Sequence, residues 1–327
     1  MSKGILLVNL GSPDSTNVED VRTYLREFLM DKKVLDSPWI IRKTVVELFI
    51  LPKRPEKSAE AYRKIWTKEG SPLIVYSKIL RDMVQKQMDI PVVLAMRYKN
   101  PSIEAGLQEL YDKGVRDILV VPLYPQYTMS STETVADKVL EIQKKSYKDT
   151  NINFLKAFYN HPDYIKVLGD SIKEKLPENF DKLLFSYHGI PERHDNKALR
   201  AAKASKLPIE TYRNQCFETT RLVTEYLQLP EDKYTTSFQS RLGRDPWIKP
   251  YTDHMLEEFP AQGVKNLAVC TPAFVSDCLE TLEEISMEGQ EEFLKAGGKQ
   301  FTYIPCLNDR QDWVDTLVKW LKGWQNN

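Results

Sequence analysis

The chain has 327 residues, more than a single hydrophobic core usually serves, so two domains of roughly 150 residues are expected. Lysine plus arginine equals aspartate plus glutamate at 46 each, so no global field draws the protein to nucleic acid, and a small-molecule partner gains weight. No apolar run reaches the roughly 18 to 20 residues of a membrane span, and four scattered cysteines without a C-x-x-C pair argue against structural zinc or a disulfide framework, which points to a reducing cytoplasm.

The N-terminal MSKGILLVNLGSP runs directly into a short apolar segment closed by Gly11 and Pro13, reading as a strand over 4–9 and not as a signal peptide. The stretch 37–52, SPWIIRKTVVELFILP, is conspicuously apolar and suits helix core, a pocket lip or a membrane-touching surface. Further strands are expected over 92–96, 117–121, 152–157, 182–186, 234–239, 265–270 and 300–305, with amphipathic segments of helical length between them. This alternation is the pattern of a parallel sheet covered by helices, and it gives each half four strands. The closing segment 309–325 sets Trp313, Val314, Leu317, Trp320 and Leu321 at the helical period. The expected organisation is therefore α/β, with two similar Rossmann-like domains. The first covers 1–160, with the C-terminal helix 308–327 packed back onto it, and the second covers 161–307.

The halves resemble each other. NLGSP from Asn9 and YHGIP from Tyr187 each follow an apolar strand, so Leu10 corresponds to His188. GVRDILVVP from Gly114 is echoed by GVKNLAVCTP from Gly263, and FYNHPDYIKVL from Phe158 by CLNDRQDWVDTL from Cys306, at an offset of about 149 residues. The shared order and spacing are those of a duplicated βα unit. Ligands of open parallel sheets bind beyond the carboxyl ends of the strands, so two such domains facing each other are expected to form a cleft lined by Leu10, His188 and the segment after Cys270.

Of the four histidines, His161 precedes Pro162 at a helix entrance, His194 sits in a charged stretch expected to be a loop, and His254 lies among exposed helix residues. Only His188 is placed at a strand end, on a tight Gly-Pro turn. There an imidazole suits a base, a metal ligand or a structural histidine bonded to the backbone. In TPAFVSDCLETLEEISMEGQEEF, a helix is expected to begin near Ser276 or Asp277, after which Glu280, Glu284 and Glu288 recur every fourth residue. On an ordinary helix they would stack on one face and repel by a few tenths of a kcal/mol per pair. The row reads either as a solvated acidic face or as a path for cations and protons. Phosphate-binding and serine-hydrolase signatures are missing, which disfavours nucleotide chemistry.

The segments LVNLGSP, YLREFL, WTKEGSPL, FSYHGIPER, TSFQSRLGRDPW and FVSDCLETLEEI resemble successive signatures of ferrochelatases and span nearly the whole chain. The resemblance implies a chelatase-like fold and insertion of ferrous iron into a porphyrin, with porphyrin and iron as substrates. It implies that His188 and Glu280 are the catalytic and metal-handling pair, with Asp277, Glu284 and Glu288 as a proton or metal conduit. Cys278 departs from the family, many of whose members have histidine there. Leu10 matches a position facing the histidine across the porphyrin, where an apolar residue looks like the protoporphyrin branch and tyrosine is usual in relatives acting on coproporphyrin. Arg54, Tyr62 and Ser71 resemble residues at the porphyrin edge and its propionates, and Arg97 with Tyr98 resembles another pocket motif; carboxylates suit arginine's two-pronged donor. Some relatives bind an iron-sulfur cluster through a C-terminal cysteine group. This chain ends at Asn327 without one, so no cofactor is expected. The location expected is cytoplasmic, with peripheral contact at the inner membrane left open by 39–51. The competing readings are a coproporphyrin ferrochelatase, a cobalt chelatase for another tetrapyrrole and a non-catalytic porphyrin or haem carrier.

Overall fold

The computed structural model describes residues 2–205, 211–241, 243 and 245–326, so Leu242 and Arg244 of the TSFQSRLGRDPW segment lie outside the described residues. The chain divides into two compact units, Met1–Ala157 with Asn308–Asn327, and Phe158–Leu307. The first unit holds β1 (Lys3–Asn9), β2 (Val92–Met96), β3 (Asp117–Pro122) and β4 (Asn151–Phe154), paired in parallel in the order β2-β1-β3-β4. The second holds β5 (Lys182–His188), β6 (Tyr234–Gln239), β7 (Asn266–Cys270) and β8 (Gln300–Ile304), in the equivalent order β6-β5-β7-β8.

All eight strands expected from the sequence form, with two informative shifts at their ends. The fourth stops at Phe154 instead of 157. Its ladder closes with Leu155 N–H donating to the Val120 carbonyl, and the next donor from β3 would be Pro122, which has no N–H. The fifth runs two residues further than expected because Tyr187 and His188 continue to pair with Phe238 and Gln239.

Strands covered on both faces read as continuous apolar runs, as Ile5–Val8 does in β1. In the first unit Leu6, Val8, Val93 and Val120 pack against Leu107, Leu110, Val135 and Val139 from the flanking helices. In the second, Leu184, Leu267 and Val269 pack against Leu256, Ile285 and Phe293. Each such side chain contributes roughly 1.5–3 kcal/mol when fully buried. The C-terminal helix Gln311–Gln325 lies on the helix Pro72–Gln85 of the first unit and buries Trp313, Val314, Leu317 and Leu321. Lys3 Nζ donates to the carbonyls of Trp324 and Gln325 (3.2 and 2.8 Å), tying the last turn to β1.

One reading left open is narrowed and one expectation is corrected. Of the alternatives for 39–51, helix core drops out. The stretch forms a helix, Trp39–Thr44, widened into a π-helix, Val45–Ile50, that turns Ile40 (71 % exposed), Leu48 (67 %) and Phe49 (70 %) outward. Only Arg42, Val46 and Leu51 point in, and Arg42 is held by the carbonyls of Leu35 and Ser37. His194 is not in a loop but buried within the helix Glu192–Ser205.

In each sheet the first strand sits inside, and the chain crosses from one side of it to the other. The crevice of such a switch lies at the carboxyl ends of β1 and β3, and of β5 and β7.

Candidate active site

In the second unit, His188 is the last residue of β5, at that crevice, and is half-buried. Its Nδ1 lies 2.6 Å from the carbonyl oxygen of Gly189. A carbonyl can only accept, so Nδ1 carries the proton and the neutral ring presents its lone pair on Nε2. Tyr212 Oη donates to the His188 carbonyl (2.8 Å) and fixes the main chain, while the Phe274 ring from the loop after β7 meets the imidazole edge-on at 6.3 Å between centroids. Burial lowers the imidazole pKa below its ordinary value, while the Glu280 charge and the Gly189 carbonyl act in the opposite direction. The net result is a neutral imidazole at neutral pH beside an acidic group.

Glu280 is placed by the loop Thr271–Cys278 and the short helix Leu279–Thr281. The helix starts later than expected because Asp277 and Cys278 form its cap. The Cys278 N–H donates to Thr281 Oγ1 (3.0 Å), and the Cys278 side chain accepts from the Thr281 N–H. Asp277 Oδ1 accepts from Tyr303 Oη (2.6 Å), Thr281 Oγ1 (2.9 Å) and the Cys306 N–H (3.4 Å). Asp277 is thus buried and held by three donors, one of them on the residue next to Glu280.

The row does not ride on an ordinary helix. From Leu282 to Gly289 the chain is a π-helix, continued by an α-helix, Gln290–Lys295. Four residues exceed one turn of an α-helix but fall short of one turn of the wider π-helix, so the α-helical stacking expected for the row does not apply from Leu282 onward. Glu284 is half-buried and Glu288 exposed, so the row runs outward. Ser240 donates to the Glu284 carboxylate through both its N–H (2.7 Å) and its Oγ (2.6 Å). Burial pushes the Glu284 pKa up to about 7, assisted by the Glu280 charge and opposed by the Ser240 and Gln239 donors. Beside Glu280, the Cys278 thiol is held well above its ordinary pKa, first by burial and then by the Glu280 charge, so it stays protonated.

The other sequence-derived candidates lie in the first unit. Leu10 follows β1 half-buried, its N–H bonded to Asn9 Oδ1 (2.9 Å) and its carbonyl to the Tyr98 N–H (2.9 Å). Arg54 begins the helix Arg54–Ile65, and on the same helix Tyr62 is buried edge-on between Tyr24 and Trp66. Ser71 is buried at the N-cap position of Pro72–Gln85 without a side-chain capping bond. The Arg97 guanidinium pairs with Asp31 (2.5 Å), donates to Thr134 Oγ1 (2.7 Å) and lies over the Tyr98 ring at 4.4 Å. Asp31 also accepts from Tyr98 Oη (2.9 Å) and Thr134 Oγ1.

Sequence reasoning passed over Gln239, Ser240, Phe274 and Asp31. Gln239 ends its strand as His188 does, but that strand, YTTSFQ, is rich in hydroxyl side chains and offers no apolar run to mark it. Asp31 carries no such signal, because its partners are distant in sequence.

A family model for ferrochelatase matches residues 2–323. The ferrochelatase of Ectopseudomonas mendocina is 47% identical over 326 residues, covering 96% of this chain and 95% of that one. The ferrochelatase of Pseudomonas fluorescens is 46% identical over 325 residues, with the same coverage. Among solved structures, SirB from Bacillus subtilis with Fe3+ has a TM-score of 0.59 at 13% identity, covering 98% of this chain and 95% of that chain. The sirohydrochlorin chelatase SirB from Bacillus subtilis subspecies spizizenii in complex with cobalt gives 0.57 at 12%, covering 98% and 93%. At that identity the likeness speaks for fold alone, that of two Rossmann-like units. Identity near one half along almost the whole length, together with the reach of the family model, shows that the chain belongs to the ferrochelatase family.

Proposed function

We propose that this ferrochelatase, a lyase that inserts iron into a porphyrin in haem synthesis, uses His188 to accept the pyrrole protons and Glu280 to receive the metal. Metallation exchanges two ring protons for one divalent ion, so the site needs a neutral base, a weak metal donor and a route for cations and protons. His188 meets the first requirement, because burial keeps it neutral and the Gly189 carbonyl leaves its Nε2 lone pair available. The contact of Nδ1 with the Gly189 carbonyl is the observation that carries the assignment. Glu280 beside it supplies charge without the three or four strong donors that would trap the ion.

Glu284, poised near neutrality at about 7, can gain and lose a proton at working pH, and exposed Glu288 completes the route to solvent. Holding a bent macrocycle would expose the nitrogen lone pairs and favour the transition state. The substrate assigned is protoporphyrin IX, supported by the apolar Leu10. No iron-sulfur cluster belongs to this reading, which is supported by the wide separation of the four cysteines in the sequence and the lack of a C-x-x-C pair. Among the described residues no helix is long and apolar enough to cross a membrane. The exposed Ile40, Leu48 and Phe49 support a cytoplasmic enzyme that touches the inner membrane peripherally, where an apolar substrate partitions.

The test is anaerobic visible spectroscopy with protoporphyrin and ferrous or zinc ion, comparing native protein with His188→Ala. Many turnovers by the native protein and almost none by the variant are expected. Stoichiometric porphyrin binding, with metal entering no faster than in buffer, would leave a carrier in place of the enzyme. Faster turnover of coproporphyrin than of protoporphyrin would overturn the substrate assignment.

A further inference from the structure

The interior of the second sheet carries polar groups that a packing argument does not call for. Ser186, Ser237 and Thr252 are buried, and Thr252 Oγ1 lies 2.9 Å from Ser186 Oγ and 2.7 Å from Ser237 Oγ. Ser186 Oγ donates to Gln239 Oε1 (2.8 Å), and Gln239 Nε2 donates to the main-chain carbonyl of Glu280 (2.7 Å). Burying hydroxyls and an amide costs free energy unless every group is paired, and apolar side chains would fill a core without that requirement. What the polar chain adds is direction. It links β5, two residues before His188, to the first turn of the helix that carries Glu280.

The next residue extends the link. Ser240 adopts φ +65°, a left-handed conformation that costs a non-glycine residue roughly 1–2 kcal/mol. This turn lets its N–H and Oγ converge on one carboxylate, that of Glu284. A side-chain donor on the Glu280 carbonyl and a two-donor grip on Glu284 thus come from consecutive residues at the end of one strand. They hold both ends of the helical turn where α-geometry gives way to π-geometry.

We infer that Gln239 and Ser240 are positioning residues that fix the Glu280 and Glu284 carboxylates relative to His188, and so govern metal delivery while leaving porphyrin binding alone. The inference rests on the roles proposed above for His188 and Glu280. Groups that orient metal-handling side chains typically change metal affinity or activity by about 10–100-fold when removed, and a displacement near 1 Å is enough to do so.

The experiment is steady-state kinetics with zinc and protoporphyrin on the full chain. It compares native protein, Gln239→Leu, Gln239→Glu and Ser240→Ala, with unfolding midpoints measured alongside. Gln239→Leu removes both amide bonds. Gln239→Glu keeps an acceptor for Ser186 but sets an oxygen against the Glu280 carbonyl, and Ser240→Ala removes one of the two donors to Glu284. The result expected is a rise in metal KM or a fall in kcat of at least tenfold for both Gln239 variants and a smaller change for Ser240→Ala. Porphyrin KM should stay within twofold. Metal parameters within threefold of native in every folded variant would overturn the inference, as would porphyrin and metal KM rising together. Should Gln239→Leu fail to fold, the other two variants still decide. An inactive native protein, or a fully active His188→Ala, would sink the underlying assignment instead, an outcome that the native and His188→Ala controls distinguish.

Discussion

Replacing Asp31 by alanine separates two roles for Arg97, the porphyrin contact implied by family resemblance and the ion pair in the fold. The pair is well enclosed, with side-chain exposures of 13% for Arg97 and 6% for Asp31, so solvent screening discounts it little. Removing one partner of such a pair leaves the other charge uncompensated and costs about 3–5 kcal/mol. For a unit of this size, 1 kcal/mol moves the midpoint by about 2–4 °C, giving a loss of about 6–20 °C. Tryptophan fluorescence during urea or thermal unfolding is a suitable assay, because Trp39, Trp66, Trp313, Trp320 and Trp324 all lie in the first unit and only Trp247 in the second. Burial alone would raise the Asp31 pKa, but donors from Thr134 and the Lys33 N–H, with the Arg97 charge, outweigh it and hold the carboxyl below its ordinary value. The stabilisation is therefore fully present above the unfolded carboxyl pKa of about 3.9 and lost as pH falls through the lower folded value, where variant and native protein should converge. The double variant Asp31→Leu with Arg97→Met should lose less than the sum of the single changes. A loss under about 1 kcal/mol, accompanied by weaker porphyrin binding, would refute the structural role and return Arg97 to the substrate.

Glu284 has the opposite sign from an ordinary carboxylate. Its folded pKa of about 7 lies above the unfolded value, so native stability should fall by up to about 3 kcal/mol as pH rises from about 4.5 to 7. Glu284→Gln should remove that slope in pH-resolved urea unfolding, and an unchanged slope would contradict the assignment. All four thiols are buried, so a colorimetric thiol reagent should titrate fewer than one in the native protein and four after denaturation; rapid native labelling would refute that burial. Leu48→Glu with Phe49→Glu should abolish co-flotation with lipid vesicles while leaving turnover of detergent-dispersed porphyrin within twofold, and unaltered flotation would remove the membrane-contact reading.

The sequence announced the sheets because parallel strands covered on both faces write themselves as unbroken apolar runs, such as Ile5–Val8. It singled out His188 because that imidazole alone among the four closes such a run, while position left base, metal ligand and backbone-bonded structural histidine equally open. The helix after Cys270 was harder to read. The four-residue spacing of Glu280, Glu284 and Glu288 is compatible with either an α- or a π-helix, and the choice between them depends on partners such as Gln239 that lie about forty residues away. Asp277 was placed with the acidic row by the family resemblance, and its contacts with Tyr303 and Cys306, nearly thirty residues away, carry no local signal. The stretch 39–51 was left open between core and surface for a related reason: composition records how apolar a helix is, and only packing decides whether anything covers it.

The protonated state of Cys278 bears on which ions the site can release. Thiolates hold soft and borderline metals tightly, whereas protonated thiols scarcely bind them. By burying that sulfur against Glu280, the fold sets a protonated thiol beside the carboxylate. On the roles proposed for His188 and Glu280, nitrogen and oxygen would then be the donors that ferrous iron meets at neutral pH, which suits an ion that must rest briefly and move on.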